Sequence, residues 1–425
     1  MSLPIQQLPV VQNWDCHVTG TCCKEYHVAL SDAERKRIEE QNWDEEKDLG
    51  GHSPFEKIGT FRKRYFLNHR EDGSCVFLNQ DGRCQIHEKH GYEAKPLPCR
   101  LFPFVLVPVG DHWRVSLRFA CPSAAANKGR GVVDHKKDLQ TFAEQLAERE
   151  KLKPLKDRSL APAPRMTPMA NRRPWSDVLL FVDALLKILH RSQEPIQWRL
   201  RKCLALAQEC KQAKLHRLES NQIPDLLTVL REHVASEVPQ DPKKVDPPTW
   251  VGRVLFRQAL AVFTRKDHGP KRGIARLGRM ALLKAAWRFA KGSGNVPRLH
   301  DWLPMVTFEE LEEPTGELSQ QAQNILERYY SVKVSSVQFC GVAQFGFPFW
   351  EGFSMLALTY PMLMWVMRAF MKVGLSDVEG VTKALSIVDD HFGFNRVLKK
   401  ARQRMSLRIL ASRGEIRQLV AWYSR

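Results

Sequence analysis

From Trp175 onward, apolar residues recur at steps of three and four. In SDVLLFVDALLKILH, the residues Val178, Leu179, Val182, Leu185, Leu186 and Leu189 make one wide apolar face. That period predicts an amphipathic helix laid on a core. The same pattern continues through PIQWRLRKCLALAQECKQAK, with Pro195 placed for a first turn. It continues in IPDLLTVLREHVA, TWVGRVLFRQALAVFTRK, GRMALLKAAWRFAK, SQQAQNILERYY, the segment 353–371 and the tail from Asp377. No repeat of fixed period is present. The run FSMLALTYPMLMWVMRAF (353–370) raises the question of a membrane span, because Arg368 is its only charge. Tyr360 and Pro361 inside it, with Pro348 and Glu351 just before it, favour a buried core helix, so no transmembrane span is expected.

The first 135 residues read differently. Long helical periods are scarce there. Ser31-Asp-Ala-Glu34 has the spacing of a capping box and predicts a short helix through ERKRIEEQNW. LFPFVLVPVGDHWRVSLRF reads as two apolar strands turning at Gly110-Asp111, with Pro103 and Pro108 pushing the first strand to an edge. Between the two patterns lies a proline-rich, aperiodic stretch, clearest in KPLKDRSLAPAPRMTPMANRRP. The expected fold class is mainly α: a small cysteine-rich domain with a β-hairpin over 1–135, a linker over 136–174 and a larger basic helical domain over 175–425.

Charge sharpens that division. The formal net charge is +18, yet residues 1–135 are balanced, so the whole excess lies beyond them. Such a field favours an acidic partner, whether protein, nucleic acid or lipid surface. Residues 251–291 hold eleven Lys and Arg against Asp267 alone. Arg272, Arg276 and Arg279 share one spacing, as do Lys284, Arg288 and Lys291. The plain reading is a solvated amphipathic helix pair; the sharper one is a docking surface for an acidic protein. No nucleic-acid motif accompanies the charge, so nucleic acid is disfavoured. The opening residues show no basic stretch followed by an apolar one. A cytoplasmic location is therefore expected, where thiols stay reduced.

That expectation gives the cysteines their meaning. Seven of the ten fall in the first 135 residues: Cys16, Cys22, Cys23, Cys75, Cys84, Cys99 and Cys121. They sit at turns, after Gly20, Gly73, Gly82 and Pro98, where side chains from distant segments can converge. Lys24, Arg83, Arg100 and Arg118 lie close in sequence and would offset thiolate charge. All seven cysteines are candidate metal ligands. Zinc would take four of them, or fewer with a histidine from among His17, His27, His87, His90 and His112. The irregular long spacing and surplus of thiols suit an iron–sulfur cluster better than zinc knuckles, of which none is seen. Purely redox thiols remain a third reading. Cys203, Cys210 and Cys340 read as core residues. Asp389-Asp390-His391, the compact carboxylate–histidine trio of the tail, reads first as a solvated helix end and second as a base.

CHVTGTCC, then CVFLNQDGRCQIHEKHGYEAKPLPCRLFPF, then FACPSAAA resemble the bacterial YkgJ-type cysteine-cluster proteins, and within them the flagellin lysine-N-methylase branch. The pattern is carried by Cys75, Phe77, Leu78, Gly82, Cys84, Ile86, Leu97, Cys99, Arg100, Phe102, Pro103, Cys121 and Pro122. In that family the first run is often CxxCxxCC; here Thr19 stands where its second cysteine would be. The resemblance implies a zinc or iron centre. Its methylase branch implies methyl transfer from S-adenosylmethionine to protein lysines, with flagellin as the acidic partner. No G-x-G-x-x-G and no CxxxCxxC is present to bind that donor. The alternative is a non-catalytic zinc- or iron-binding interaction or redox-sensing protein.

Overall fold

A computed structural model describes residues 3–59, 64–155, 159–213, 218–265 and 277–425. The short elements come first: β1 (Ile5–Gln7), α1 (Thr21–Glu25), α2 (Asp32–Glu39), α3 (Glu45–Leu49), β2 (Phe55–Ile58), β3 (Arg64–Leu67), α4 (Gln85–His90), α5 (Leu97–Leu101), β4 (Phe104–Val109), β5 (His112–Leu117) and α6 (Pro122–Ala125). Longer helices follow: α7 (Lys136–Arg149), α8 (Trp175–Leu189), α9 (Ile196–Gln212), α10 (Ile223–Glu237), α11 (Trp250–Phe263) and α12 (Gly278–Lys291). The chain ends with α13 (Phe308–Glu312), α14 (Gln320–Ser335), α15 (Phe349–Met371), α16 (Asp377–His391), α17 (Ala401–Ser412) and α18 (Glu415–Trp422). The protein is mainly helical, with a small strand-containing N-terminal region and a larger helical part.

α15 is the axis of the helical part. It is long and apolar enough to cross a bilayer, yet its apolar window is wholly buried. α9, α13, α16, α17 and α18 all pack on it. Gly352 explains one close approach: a Cβ there would stand 2.0 Å from the Phe339 carbonyl oxygen. Arg368, the one cation of the run, is capped by the carbonyls of Leu311, Tyr423 and Arg425 at 3.0–3.3 Å. These bonds occupy its two terminal nitrogens and lower the cost of burying the charge.

The hairpin forms as its sequence implies. β4 and β5 pair antiparallel with Val109 opposite His112, around Gly110 at φ 58°. β4 lies at an edge of the sheet order β1-β5-β4, where Pro108 costs no ladder bond to a further strand. β1 joins β5 in parallel, a pairing that three residues without alternation do not announce. The hairpin does not belong to a separate cysteine-rich core. Its inner residues, including Leu106, Val115 and Leu117, share one apolar cluster with α8, α14 and α15. A second, small cluster of Ile38, Leu49, Leu67, Cys75, Val76, Phe77 and Ile86 sits under the cysteine loops. The segment expected as a linker opens with α7, which packs against α5 and β1. Lys156, Asp157 and Arg158 of that segment, and Asp267, Arg272 and Arg276 of the basic stretch, lie outside the described residues.

Glu34 joins the cysteine loops to α7. Its capping box with Ser31 is formed. The same carboxylate accepts from the Leu97 backbone N–H at 2.7 Å and from the Arg149 guanidinium at 2.8 and 2.7 Å. Burial alone would raise its pKa; the Ser31 and Leu97 hydrogen bonds and Arg149 outweigh it and hold it below the ordinary carboxylate value. A carboxyl with a depressed folded-state pKa contributes stability above its unfolded pKa and loses it as pH falls through the folded one. Glu34→Gln is expected to cost about 2 kcal/mol at neutral pH. The gap to wild type should close in acid. Urea midpoints across that range measure it; a gap that persists unchanged at low pH would refute the assignment.

Candidate metal centre

Gly20, at φ 65°, ends the first loop and starts α1, so that Cys22 and Cys23 open a helical turn. Cys23 N–H donates back to the Gly20 carbonyl at 3.0 Å. The Cys75 N–H donates to the Cys23 carbonyl at 2.7 Å, which pins two segments some fifty residues apart to each other. Arg70 braces the Cys75 loop by donating to the carbonyls of Val76 and Leu78 at 2.8 and 2.7 Å. Gly82, at φ 79°, turns the chain into Cys84, the N-cap of α4. A Cβ on Gly82 would also press on the Val18 carbonyl at 3.1 Å. Cys99 sits in α5, behind Pro98 at the first turn.

These loops converge. Cys22, Cys23, Cys75, Cys84 and Cys99 line one cavity of about 320 Å³, together with Tyr26, His27, Phe77, Lys95, Phe102, Arg118 and Arg149. The Sγ atoms of Cys22 and Cys23 are 3.9 Å apart. Among the described residues, no three Cys, His, Asp or Glu side chains stand close enough to hold a single ion.

Cys16 and Cys121 are not in this lining. Cys16 is exposed on the first loop. Cys121 is buried at the start of α6, in the main apolar cluster. Thr19, the residue at the family's missing cysteine, lines a neighbouring surface recess beside Lys24 and Gly82 rather than the thiol cavity. Of the five histidines weighed above, His27 alone lines the cavity; its ring stacks on His69 at 4.4 Å. Cys203, Cys210 and Cys340 are buried, and burial pushes their thiols up.

The electrostatics are those of crowded thiols. The hydrogen bond with Cys23 lowers the Cys22 pKa to about 7, while Cys23 itself is pushed up by that same bond and by burial. Burial and neighbouring thiols raise Cys75 to about 12 and carry Cys99 well above its ordinary value. Successive thiolates oppose one another unless a cation sits among them. Lys95 answers part of this: burial would lower its pKa, but Cys84, Cys99, Cys23 and Cys22 hold it above the ordinary value.

The cations differ from those that sequence proximity suggested. Of Lys24, Arg83, Arg100 and Arg118, only Arg118 reaches the cavity. Arg100 instead donates to the Lys95 carbonyl and Gln145 and pairs with Glu93, and Arg83 faces Glu88. Lys95 and Arg149 were missed. Lys95, four residues before Cys99, left a local trace; Arg149 left none. Arg118 lies between the rings of Tyr26 and Phe394, at 4.1 and 3.9 Å, and pairs with Asp390 at 2.6 Å.

This places the tail trio behind the cavity wall, and none of it in water. Asp389 pairs inward with Lys333 at 2.7 Å and accepts from the Phe119 N–H at 2.6 Å. Asp390 holds Arg118, and burial pushes the pKa of the Tyr26 hydroxyl well up. His391 contacts Asn395 at 2.9 Å. The three side chains thus have three different partners.

Residues 15–130 match the CxxCxxCC family, described as a zinc- or iron-chelating domain. The matched span holds all seven N-terminal cysteines. No curated protein and no solved structure matches the chain.

Proposed function

We propose that the zinc- or iron-chelating region holds an iron–sulfur cage, and that the chain is a metal-cluster enzyme transferring methyl groups from S-adenosylmethionine to protein lysines. The observation that carries the first half is the convergence of five thiols on one cavity of about 320 Å³. Thiolate-only ligation around a cage, with a nearby Lys95, fits such a cluster in donor chemistry and in charge. Cys75, Cys84 and Cys99 would supply three ligands. Cys22 and Cys23 are adjacent, with Sγ atoms 3.9 Å apart, so at most one of them would supply a fourth. Binding of the methyl donor would need one corner free of cysteine, where the cluster would supply a Lewis-acidic iron site.

The methyl-transfer half rests on the family resemblance and on the rest of the lining. Tyr26, Phe77, Pro98 and Phe102 give the cavity an apolar wall, and Arg118 offers a guanidinium to an acidic group. A target lysine must shed its ammonium proton to a base. Its amine then takes the methyl carbon as the carbon–sulfur bond breaks onto sulfur. Tyr26, a hydroxyl among the lining residues, would pass that proton on.

Anaerobically purified protein is expected to be coloured, with iron and sulfide in equal amounts. A colourless, zinc-loaded protein would overturn the cage. Labelled S-adenosylmethionine should bind only the metal-loaded form; equal binding by metal-free protein would remove the methyl-transfer reading and leave the metal site standing.

A further inference from the structure

α12 presents two apolar faces, and among the described residues only one is covered. Ala285 and Phe289 turn inward, where Phe289 meets Phe308 and Trp365 at 5.3 and 6.3 Å. α11 fastens that face: Arg257 donates to the Phe289 and Ala290 carbonyls, and Gln258 to the Ala286 carbonyl, at 2.7–3.1 Å. The orientation of the helix is thus set by the core. The outward side carries Met280, Leu283 and Trp287, with Leu277 just ahead of the first turn; they are 76, 63, 59 and 68% exposed. At about 100° per residue they occupy a single arc. Lys284 and Lys291 share the arc, and Arg279 and Arg288 border it on either side. The Lys291 ammonium stands 5.5 Å from the Trp287 ring. No acidic residue occurs anywhere on the helix.

A solvated helix face places its charges outward and its large apolar residues inward. Here four large apolar residues project into solvent among cations. A partner protein would need a pocket shaped to receive these side chains. A fluid interface needs none: apolar side chains sink below the headgroups, while lysine and arginine stems keep their charges at headgroup level. Tryptophan is the residue best suited to that boundary. The cations select for lipids of negative charge, and the net charge of +18 acts in the same sense at longer range.

We propose that the outer stripe of α12 seats this protein on an anionic membrane surface, lying in the interface without spanning it. The test is sedimentation of the full chain with phosphatidylcholine vesicles, and with vesicles to which phosphatidylglycerol has been added. The anionic vesicles are expected to pellet the protein about tenfold more strongly, with added salt weakening the effect. Trp287→Glu and Lys284→Glu should each reduce that binding about tenfold. Both positions are exposed, so far-ultraviolet circular dichroism and metal content should match wild type, which keeps the test separate from the fate of the thiol cavity. Equal pelleting with neutral and anionic vesicles would overturn the proposal, as would a Trp287→Glu protein that pellets like wild type. Binding of a poly-glutamate peptide without vesicle binding would also overturn it, and would make the stripe a protein-docking surface.

Discussion

A Cys99→Ser protein, purified without oxygen, is expected to carry less than about one-tenth of the wild-type metal per chain. The thiol lines the cavity from α5, and no other cysteine of that helix can replace it. Serine keeps the size but not the soft thiolate that iron or zinc prefers. Metal binding energy is also folding energy for a small lobe. The apolar cluster beneath the cysteine loops contains few residues, so the metal-free lobe should become sensitive to protease while the helical part stays resistant. Cys340→Ser is the control, since that thiol is buried in the helical core. Cys16→Ser should likewise retain its metal, because Cys16 is exposed and outside the cavity lining. Elemental analysis of the three proteins settles it. Unchanged metal in the Cys99 variant would end the case for this cavity as the centre.

Lys333→Met is expected to destabilise the folded chain by about 3–5 kcal/mol. Lys333 is fully buried and donates to the Leu117 carbonyl at 2.9 Å and to Gln338 at 3.0 Å, besides its 2.7 Å pair with Asp389. Methionine fills the space but leaves Asp389 charged and without its cation, which is the costly half of breaking a buried pair. The effect should reach the metal centre. The same carboxylate holds the Phe119 N–H, and the neighbouring Asp390 holds Arg118, which lines the cavity. Removing both charges, as Lys333→Met with Asp389→Leu, should recover much of the loss. Denaturant midpoints of the two proteins decide the point. A single variant within about 0.5 kcal/mol of wild type would show that the pair does not anchor this wall.

Much of the architecture was legible before folding was considered. The helices from α8 onward follow the apolar period of Val178 to Leu189 and its successors. The Ser31–Glu34 box starts α2, and Gly110 turns the hairpin. These features depend on residues a few positions apart, so a one-dimensional pattern contains them. The buried state of α15 is also readable, from Tyr360 and Pro361 within the run and Pro348 and Glu351 just before it. The charge placements were not. Arg100 adjoins Cys99 in sequence but turns toward Gln145 and Glu93, whereas Arg149 arrives at the cavity from α7. Asp390 meets Arg118 across more than 270 residues.

By itself, then, the amino-acid order determined the helical class, the hairpin, the turn-borne thiols and a basic surplus confined to the later residues. Only the folded chain decided that Cys22, Cys23, Cys75, Cys84 and Cys99 share a cavity while Cys16 and Cys121 stay outside its lining. It alone also decided that α12 turns Trp287 and its apolar neighbours outward. The reason is physical. Periodicity and turn chemistry act through bonds and neighbours close along the chain. The meeting of distant thiols, and the choice of which apolar face is covered, depend on loop closure and on the competition of all faces for one core.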